Sequence, residues 1–453
     1  MIQSINPYNG EILSEFEFYT DKEILNAIED AAKAYKHWRR SKYENRHELL
    51  QNVANLLKQN KQYYAELITR EMGKPIDQSY AEIEKCAAMT SFYAERFDDF
   101  LQHQIIETKH LRSFVAYEPL GIVFSIMPWN FPFWQALRCA VPTIAAGNCY
   151  MLKHAPNVSL CAIELQKLFI QAGFDKGVFT TIFAEIPQVS SIISHDAIVG
   201  VSLTGSEKAG ISVATIAGQN LKKCVLELGG SDPCIIFEDA NLEKATFAAV
   251  RSRMNNSGQT CIAAKRIFLQ QSIYEVAIEK LSSIIQGLKV GNPMENGTDI
   301  GPLARPDLRI LLDNQVEQSV KNGANSIITA GSISSDYCFF KPGLYDNIQK
   351  GQAFEDEEIF GPVMTVFPFE DVEDVILMSN NSRYGLGASI WTQDYERAEY
   401  IGAHIDVGTI AINNIVRSDM QLPFGGVKKS GYGRELGEMG IREFTNVKTY
   451  FLE

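Results

Sequence analysis

Residues 198–228 read IVGVSLTGSEKAGISVATIAGQNLKKCVLEL, and this stretch decides the fold. The apolar run Ile198–Leu203 has the length of a buried strand, the segment after Gly205 has helical patterning, and Cys224–Leu228 is apolar again. A strand, a helix and a second strand in this order are typical of parallel strands joined by a crossover helix. The stretch therefore predicts a doubly wound α/β domain.

The same alternation extends in both directions along the chain. On the upstream side, a helical pattern covers Ser159–Ala172, and strand-length apolar runs cover Gly121–Ile126, Asn148–Leu152 and Phe179–Phe183. On the downstream side, helical patterns end near Asn255 and Leu288, and apolar runs cover Cys234–Phe237, Lys265–Gln270, Met364–Phe367 and Gly387–Trp391. We therefore predict two α/β domains in tandem, with a polar junction near residues 229–232.

The front of the chain is helical. A capping-box pattern, Thr20-Asp21-Lys22-Glu23, precedes the helical run Ile24–Trp38, and further helical patterns cover Glu44–Glu71 and Ser79–Phe100. Residues 101–118 and the last dozen residues look extended and partly apolar instead. We expect these two segments to pack together or against a partner chain.

Composition excludes several classes of function. The net charge is −13 and the Lys and Arg residues are not clustered, so a nucleic-acid surface is not expected. No apolar segment is long enough to cross a bilayer, and the N-terminus lacks the basic start and apolar core of a signal peptide, which predicts a cytoplasmic protein without membrane partners. The eight cysteines form no Cys-x-x-Cys pair, which argues for reduced thiols and against a metal site.

The hexapeptide Asn256-Ser257-Gly258-Gln259-Thr260-Cys261 is the first candidate for chemistry. Amide, hydroxyl and glycine residues precede the sulfur, so backbone N–H groups and space for a ligand lie beside a thiol. Because free cysteine is among the residues most often buried as packing, a structural role for Cys261 stays open at this point.

Three further polar turns follow predicted strands, where ligands of open α/β sheets bind. In Pro128–Pro132 the amide of Asn130 can donate to a developing oxyanion, although such a motif also marks ordinary turns. Lys153 can reach ribose or phosphate, although solvated lysines are the default. At Gly205 and Ser206, exposed N–H groups and a hydroxyl can hold a phosphate at a helix N-terminus, although the turn is not a Gly-x-Gly-x-x-Gly motif.

Two carboxylates also stand out. Glu227 lies at the end of an apolar strand, where burial raises a carboxyl pKa and suits it to general base work. Glu358 lies beside an aromatic residue and a tight turn, and a polar loop position is the alternative explanation for it.

Taken together and in their order along the chain, these motifs resemble the aldehyde dehydrogenase superfamily over essentially the whole chain. Within it the chain is most similar to the short bacterial NAD(P)-dependent succinate-semialdehyde dehydrogenases. The resemblance rests on LKHAPN at 152–157, LKKCVLELGGSDP at 221–233, GQTC at 258–261 and FGGVKKSG at 424–431. It implies an α/β aldehyde dehydrogenase-like fold with two Rossmann-like domains and a small β extension. The cofactor-binding domain would comprise 1–100 and 119–229, the catalytic domain 230–440, and the oligomerisation segments 101–118 and 441–453.

The resemblance also implies roles for the candidate residues. Cys261 would be the nucleophile that forms a thiohemiacetal and then a thioester, Asn130 and the Cys261 N–H would stabilise the oxyanion, and Glu227 would activate the hydrolytic water. The cofactor, NAD or NADP, would be bound by Lys153 and Glu358 on its two riboses, by Ser206 with Gly205 at the pyrophosphate, and beside Trp129 and Phe360. Pro156 stands where many NAD-preferring relatives carry a glutamate, so the cofactor preference stays open.

The substrate is expected to be succinic semialdehyde. Arg138, eight residues after Asn130, could hold its distal carboxylate, with Arg417 or Ser418 from a late loop. Packing of an arginine stem on apolar surface is the alternative role for Arg138. Another carboxylate-binding arginine of some relatives is replaced here by Asn255.

Several alternatives stay open. They are another short-chain aldehyde such as an aminoaldehyde, a non-catalytic family member, and a thiol hydrolase, which would need a histidine partner for Cys261. The resemblance further implies a homodimer or homotetramer.

Overall fold

The computed structural model describes residues 1–333 and 337–453. Its helices are α1 Asp21–Trp38, α2 Tyr43–Gln59, α3 Lys61–Met72, α4 Ile76–Leu101, α5 Pro132–Ala145, α6 Ser159–Gln171, α7 Gln188–Ser194, α8 Glu207–Gln219, α9 Leu242–Met254, α10 Tyr274–Gln286, α11 Pro306–Lys321, α12 Ala353–Asp356, α13 Val372–Asn380, α14 Tyr395–His404 and α15 Gly437–Arg442.

The strands are β1 Ile2–Ile5, β2 Ile12–Phe16, β3 Gln104–Ile105, β4 Arg112–Pro119, β5 Ile122–Met127, β6 Cys149–His154, β7 Phe179–Thr181, β8 Ile198–Thr204, β9 Lys223–Glu227, β10 Asp232–Ile236, β11 Ala264–Gln270, β12 Asn325–Ile328, β13 Gly331–Ser332, β14 Phe340–Lys341, β15 Gly343–Asp346, β16 Val363–Phe369, β17 Tyr384–Gly385, β18 Gly387–Trp391, β19 Thr409–Ile412, β20 Val427–Lys428, β21 Gly431–Tyr432 and β22 Thr445–Leu452.

The stretch 198–228 forms the predicted unit: β8, α8 and β9, with the two strands paired in parallel. Their sheet has the order β21-β9-β8-β5-β6-β7, and its strands are parallel except for the antiparallel edge strand β21. Its central strands are apolar and buried on both faces, as is usual for parallel sheets covered by helices. The α/β prediction is confirmed for this part of the chain.

A second sheet has the order β12-β15-β16-β11-β10-β18-β19. It is parallel apart from β12, which runs antiparallel to β15. Separate apolar clusters cover its two faces, one including Val250 and Leu281 and the other including Val375 and Ile401. The prediction of a second α/β alternation is confirmed as well.

Two helical predictions have different outcomes. The capping box at Thr20 is present, because Thr20 Oγ1 accepts from the Glu23 N–H and the Glu23 carboxylate accepts from the Thr20 N–H. A single helix over Glu44–Glu71 is wrong, because α2 ends at Gln59 and α3 begins at Lys61. Between them Asn60 has φ of −101° and ψ of 20°, outside the helical region, and its side-chain amide donates to the Leu56 carbonyl at 3.0 Å.

The two extended segments pair with each other. Strand β22 runs antiparallel to β4 from Thr445 opposite Pro119 to Leu452 opposite Arg112, and β3 pairs on the other edge of β4. No helix within residues 1–333 and 337–453 combines the length and apolarity that a membrane crossing requires.

Candidate active site

Four adjacent parallel strands, β9, β8, β5 and β6, bring their carboxyl ends to one edge of the first sheet. In open α/β sheets this edge is where ligands bind. Six predicted site residues end these strands or follow them within three positions: Trp129, Asn130, Lys153, Gly205, Ser206 and Glu227.

The turn before Cys261 has an unusual backbone. Asn256 and Ser257 both have φ of 53° and Gly258 has φ of 76°, so three consecutive residues occupy the left-handed region. Such strain persists only where surrounding bonds hold it. Here Ser257 Oγ donates to the Gly301 carbonyl and accepts from the Gly301 N–H, both at 3.0 Å.

Asn130 lies directly against this turn. Its Nδ2 donates to the Gln259 carbonyl at 3.0 Å, and Asn256 Nδ2 donates to the Asn130 carbonyl at 2.8 Å. An amide nitrogen carries two N–H groups, so one remains for a second acceptor. This bond fixes the Asn130 amide against the carbonyl of Gln259, two positions before Cys261.

Cys261 differs from every other cysteine of the chain. The other seven lie in described segments and are buried, whereas Cys261 is partly exposed. Burial raises the pKa of the Cys261 thiol to about 11, and the nearby cations Lys265 and Arg138 act in the opposite direction. Cys261 lines a cavity, and ionisation of its thiol depends on those neighbouring charges.

Lys265 is a buried cation that contacts the backbone at Cys261. Its Nζ donates to the Thr260 carbonyl at 2.9 Å and to the Cys261 carbonyl at 2.6 Å, and it lies 3.4 Å from the Glu358 carboxylate. The Thr260 carbonyl belongs to the same amide as the Cys261 N–H. A cation on that oxygen polarises the amide and strengthens its N–H as a donor.

Glu227 is buried at the end of β9. Both carboxyl oxygens are buried and find no hydrogen-bond partner among the described residues. Burial raises the pKa of Glu227 well above its usual range, the charge of Glu435 raises it further, and Arg138 and Arg434 lower it. A Cβ on Gly425 would lie 2.8 Å from Glu227 Oε1, so this glycine leaves room for the carboxyl group.

Arg138 is buried on α5 and pairs with a carboxylate of its own chain. Its Nε forms an ion pair with Glu435, and its guanidinium lies 4.9 Å from the centre of the Phe424 ring. The predicted substrate-binding arginine therefore reaches the site with part of its charge already compensated.

The segment around Glu358 crosses to the end of the first sheet. Glu358 Oε1 accepts from the Gly230 N–H at 3.0 Å, and Trp129 packs edge-to-face on Phe360 with ring centres 5.8 Å apart. Buried Arg253 connects this segment to the turn at residues 256–261. It donates to the Gly258 carbonyl on one side and to the carbonyls of Ile359, Gly361 and Val363 on the other.

A cavity of about 490 Å³ opens onto the sulfur. It brings Cys261 together with all three predicted substrate residues, whereas the predicted cofactor residues are not among those that line it. Its lining includes apolar side chains, four cations, two carboxylates and polar residues: Phe131, Trp134, Ile262, Val416, Phe424, Lys85, Arg138, Arg251, Arg417, Asp77, Glu82, Asn255 and Ser418.

The chain matches the aldehyde dehydrogenase family over residues 1–450. It belongs to the aldehyde dehydrogenase family. A probable succinate-semialdehyde dehydrogenase [NADP(+)] of Synechocystis is 41% identical and covers 100% of this chain and 99% of the relative. The Escherichia coli succinate semialdehyde dehydrogenase [NAD(P)+] Sad is 40% identical, covering 98% and 96%. The crystal structure of succinic semialdehyde dehydrogenase from Streptococcus pyogenes with NADP+ has a TM-score of 0.98 at 35% identity, covering 100% of both chains.

Three of the predicted cofactor residues, Gly205, Ser206 and Lys153, lie at the carboxyl edge of the first sheet in this aldehyde dehydrogenase. Ser206 is the N-cap of α8, with its Oγ accepting from the Ala209 N–H at 3.3 Å, and it is exposed. A Cβ on Gly205 would meet only the Leu203 side chain, at 3.7 Å, so the backbone there is open to close approach. Burial lowers the pKa of half-buried Lys153 at the end of β6. An open helix N-terminus suits a pyrophosphate, and a lysine at the same edge of the sheet can reach a ribose hydroxyl or phosphate.

Four residues of this aldehyde dehydrogenase site escaped the sequence analysis: Lys85, Arg253, Lys265 and Glu435. Each lies on an element whose local pattern looks ordinary. A signal existed for Lys265, because a lysine beginning an apolar strand four residues after a candidate nucleophile is unusual. No comparable local signal marks the other three.

Proposed function

We propose that this aldehyde dehydrogenase oxidises succinic semialdehyde to succinate with NADP or NAD. The observation that carries the proposal is a cavity lined both by a partly exposed cysteine and by a set of cations. An aldehyde at the sulfur and a carboxylate at the cations describe the two ends of this substrate. Relatives with this name at 41% and 40% identity support the assignment.

The first step is attack of Cys261 Sγ, as the thiolate that each turnover regenerates, on the aldehyde carbon, which forms a carbon–sulfur bond and turns the carbonyl oxygen into an oxyanion. The free N–H of the Asn130 amide and the Cys261 N–H hold that oxygen. A bound nicotinamide supplies the acceptor for the hydride that leaves the former aldehyde carbon. The product on the protein is a Cys261 thioester.

Hydrolysis of the thioester regenerates the thiol. Glu227 takes a proton from water, the hydroxide attacks the acyl carbon, and the carbon–sulfur bond breaks to release succinate and the Cys261 thiolate. A carboxyl group whose pKa is raised by burial holds that proton more firmly than an exposed one and is a stronger base once ionised.

The residues that fit the cofactor are Lys153, Glu358, Gly205, Ser206, Trp129 and Phe360. At residue 156, three positions beyond Lys153, the chain has an exposed proline rather than a carboxylate. No negative side chain at that position repels a ribose 2′-phosphate, so we expect NADP to be used, as the names of the Synechocystis and Streptococcus pyogenes relatives indicate for those proteins. Comparison of kcat/KM for the two cofactors tests this, and a large preference for NAD would contradict it.

The carboxylate end of the substrate would lie near Arg138, Arg417 and Ser418. Ser418 is buried and Arg417 is exposed at the mouth of the cavity. We expect Arg138→Ala to raise KM for succinic semialdehyde much more than for butanal, an uncharged aldehyde of equal length. Equal losses on both substrates would remove Arg138 from the pocket.

The proposal extends to domains and assembly. We infer a cofactor-binding domain of residues 1–100 and 119–229, a catalytic domain of 230–440, and oligomerisation segments 101–118 and 441–453. The sheet β3-β4-β22 presents exposed apolar side chains, including Phe451 at 63% and Val447 at 60% exposure, which favours a homodimer or homotetramer. Light scattering coupled to gel filtration tests it, and a monomer at micromolar concentration would contradict it.

The decisive experiment follows absorbance of the reduced nicotinamide with succinic semialdehyde, butanal and 4-aminobutanal. We expect the highest kcat/KM for succinic semialdehyde, because the cavity cations repel an aminoaldehyde. The Cys261→Ser variant serves as the control and should be inactive. A preference for 4-aminobutanal would refute the substrate, and full activity of Cys261→Ser would refute the nucleophile.

A further inference from the structure

Lys85 is a cation inside the substrate cavity to which the proposed mechanism gives no task. It lies on α4, and its Nζ donates to Ser418 Oγ at 2.6 Å. The same Nζ lies 4.0 Å from the centre of the Trp134 ring, over its face. Both partners line the cavity with Cys261. The ammonium group is therefore held by a hydroxyl and an aromatic face, and its position relative to the cavity is fixed.

The carboxylates next to Lys85 on α4 already have partners, and adjacent Glu84 lies 2.7 Å from the Lys61 amine. Glu82, one turn before Lys85 on α4, accepts from the Phe133 and Trp134 N–H groups, both at 3.0 Å, and forms an ion pair with Lys74. Within residues 1–333 and 337–453, no carboxylate approaches Lys85 to ion-pair distance, although surface and buried lysines elsewhere do find such partners.

Arg138 and Arg251, which also line the cavity, are paired with carboxylates, whereas Arg417 is exposed to solvent. Arg138 pairs with Glu435, and Arg251 lies 3.5 Å from Asp299. Lys85 is thus a largely buried positive charge with no ion-pair partner among the described residues. Such a charge is costly unless a ligand of opposite charge pairs with it.

We propose that Lys85 binds the distal carboxylate of the substrate, with Ser418 Oγ as the neighbouring hydrogen-bonding group, and so determines the preference for semialdehydes that carry a carboxylate. The inference rests on the proposed function and names the residue that sets its substrate class. An ammonium and a hydroxyl side by side can contact both oxygens of one carboxylate. The Trp134 face keeps the lysine from turning into solvent.

The pH dependence of specificity follows from the surroundings of this amine. Burial lowers the pKa of Lys85 to about 8, with Arg138 and Arg417 acting in the same direction and Cys86 and Glu82 in the other. As pH rises through 8 the amine loses its proton and its charge. We expect the ratio of kcat/KM for succinic semialdehyde to that for butanal to fall above pH 8, because only the first substrate has a carboxylate that loses its cation. Ionisation of Cys261 affects both substrates alike and therefore cancels in this ratio.

The test compares three variants on those two substrates. Lys85→Met removes the charge but keeps the length of the side chain, and Lys85→Arg keeps the charge. Lys58→Met is the matched control, since Lys58 is exposed on α2, away from the cavity. Loss of a charge-assisted bond to the carboxylate should lower the specificity ratio by about 10- to 100-fold in Lys85→Met. Lys85→Arg should recover part of it, and Lys58→Met should match the unmodified protein.

The results separate this inference from the proposed function. If the unmodified protein has no preference for succinic semialdehyde over butanal, the proposed function fails before Lys85 is tested. If it has the preference and Lys85→Met retains it, the role of Lys85 is refuted. Equal losses on both substrates would also refute it, because a merely structural lysine would affect every aldehyde. A larger KM for succinic semialdehyde alone, with partial rescue by Lys85→Arg, supports it.

Discussion

Gly258→Ala tests the packing of the turn at residues 256–261 against the segment at residues 358–363. A Cβ on Gly258 would overlap the Gly361 carbonyl and lie 2.7 Å from the Pro362 nitrogen. All of these atoms are backbone, so no side-chain rotation can relieve the contact. Restoring an ordinary separation requires the two segments to move apart by about 1 Å.

The expected magnitude has two parts. Gly258 has φ of 76°, and an alanine in the left-handed region costs about 1–2 kcal/mol. The movement also stretches bonds that buried Arg253 makes to Gly258 at 3.1 Å and to Ile359 at 2.8 Å, and losing one bond from a charged group costs about 1.5–3 kcal/mol. We expect the free energy of unfolding to fall by roughly 3–5 kcal/mol. Turnover should fall by about 100-fold, because a displacement of this size misplaces the sulfur.

Three assays measure the effect: thermal or urea unfolding, kcat with succinic semialdehyde, and the rate of Cys261 alkylation by iodoacetamide. Gly218→Ala on α8 is the matched control, since Gly218 is helical and exposed and a Cβ there meets nothing within 4 Å. That variant should gain about 0.4–1 kcal/mol of stability and keep its activity. A Gly258→Ala enzyme with nearly unchanged kcat would refute the reasoning about the turn.

Two further predictions concern the reacting groups. Lys265→Met removes the charge that lowers the Cys261 pKa most, so less of the thiol is ionised at pH 8. Alkylation of the thiol at that pH should slow by about tenfold and recover in Lys265→Arg. Unchanged alkylation would contradict this. Glu227→Gln removes the base for hydrolysis, so the steady-state rate should fall by about 10²–10⁴ while a burst of one reduced cofactor per site persists. Absence of the burst in stopped-flow absorbance would place Glu227 in an earlier step.

The fold follows from local patterns because parallel strands leave apolar runs of defined length between helices. Helix boundaries were less predictable: α2 and α3 separate at Asn60, where the backbone has φ of −101° and ψ of 20°, and periodicity does not reveal this change. The turn at residues 256–261 was recognisable from composition, but its three left-handed residues were not.

The cations of the site show the same limit. Glu82 and Lys85 are three residues apart on one helix, a spacing typical of a surface ion pair. In the structure Glu82 instead pairs with Lys74 and caps α5, so Lys85 turns into the cavity. Arg138 was predictable as a site residue, whereas its partner Glu435, nearly 300 positions later, was not. Long-range pairing of charges is set by the packing of elements, which local sequence does not encode.

The central claim is that Cys261 carries the acyl group. Rapid quenching of the Glu227→Gln enzyme with succinic semialdehyde and NADP, followed by mass spectrometry of its peptides, tests this claim most directly. We predict a succinyl adduct on the peptide that contains Cys261, and none in the Cys261→Ser variant treated alike. An adduct on another residue, or rapid turnover by the Cys261→Ser enzyme, would contradict the account.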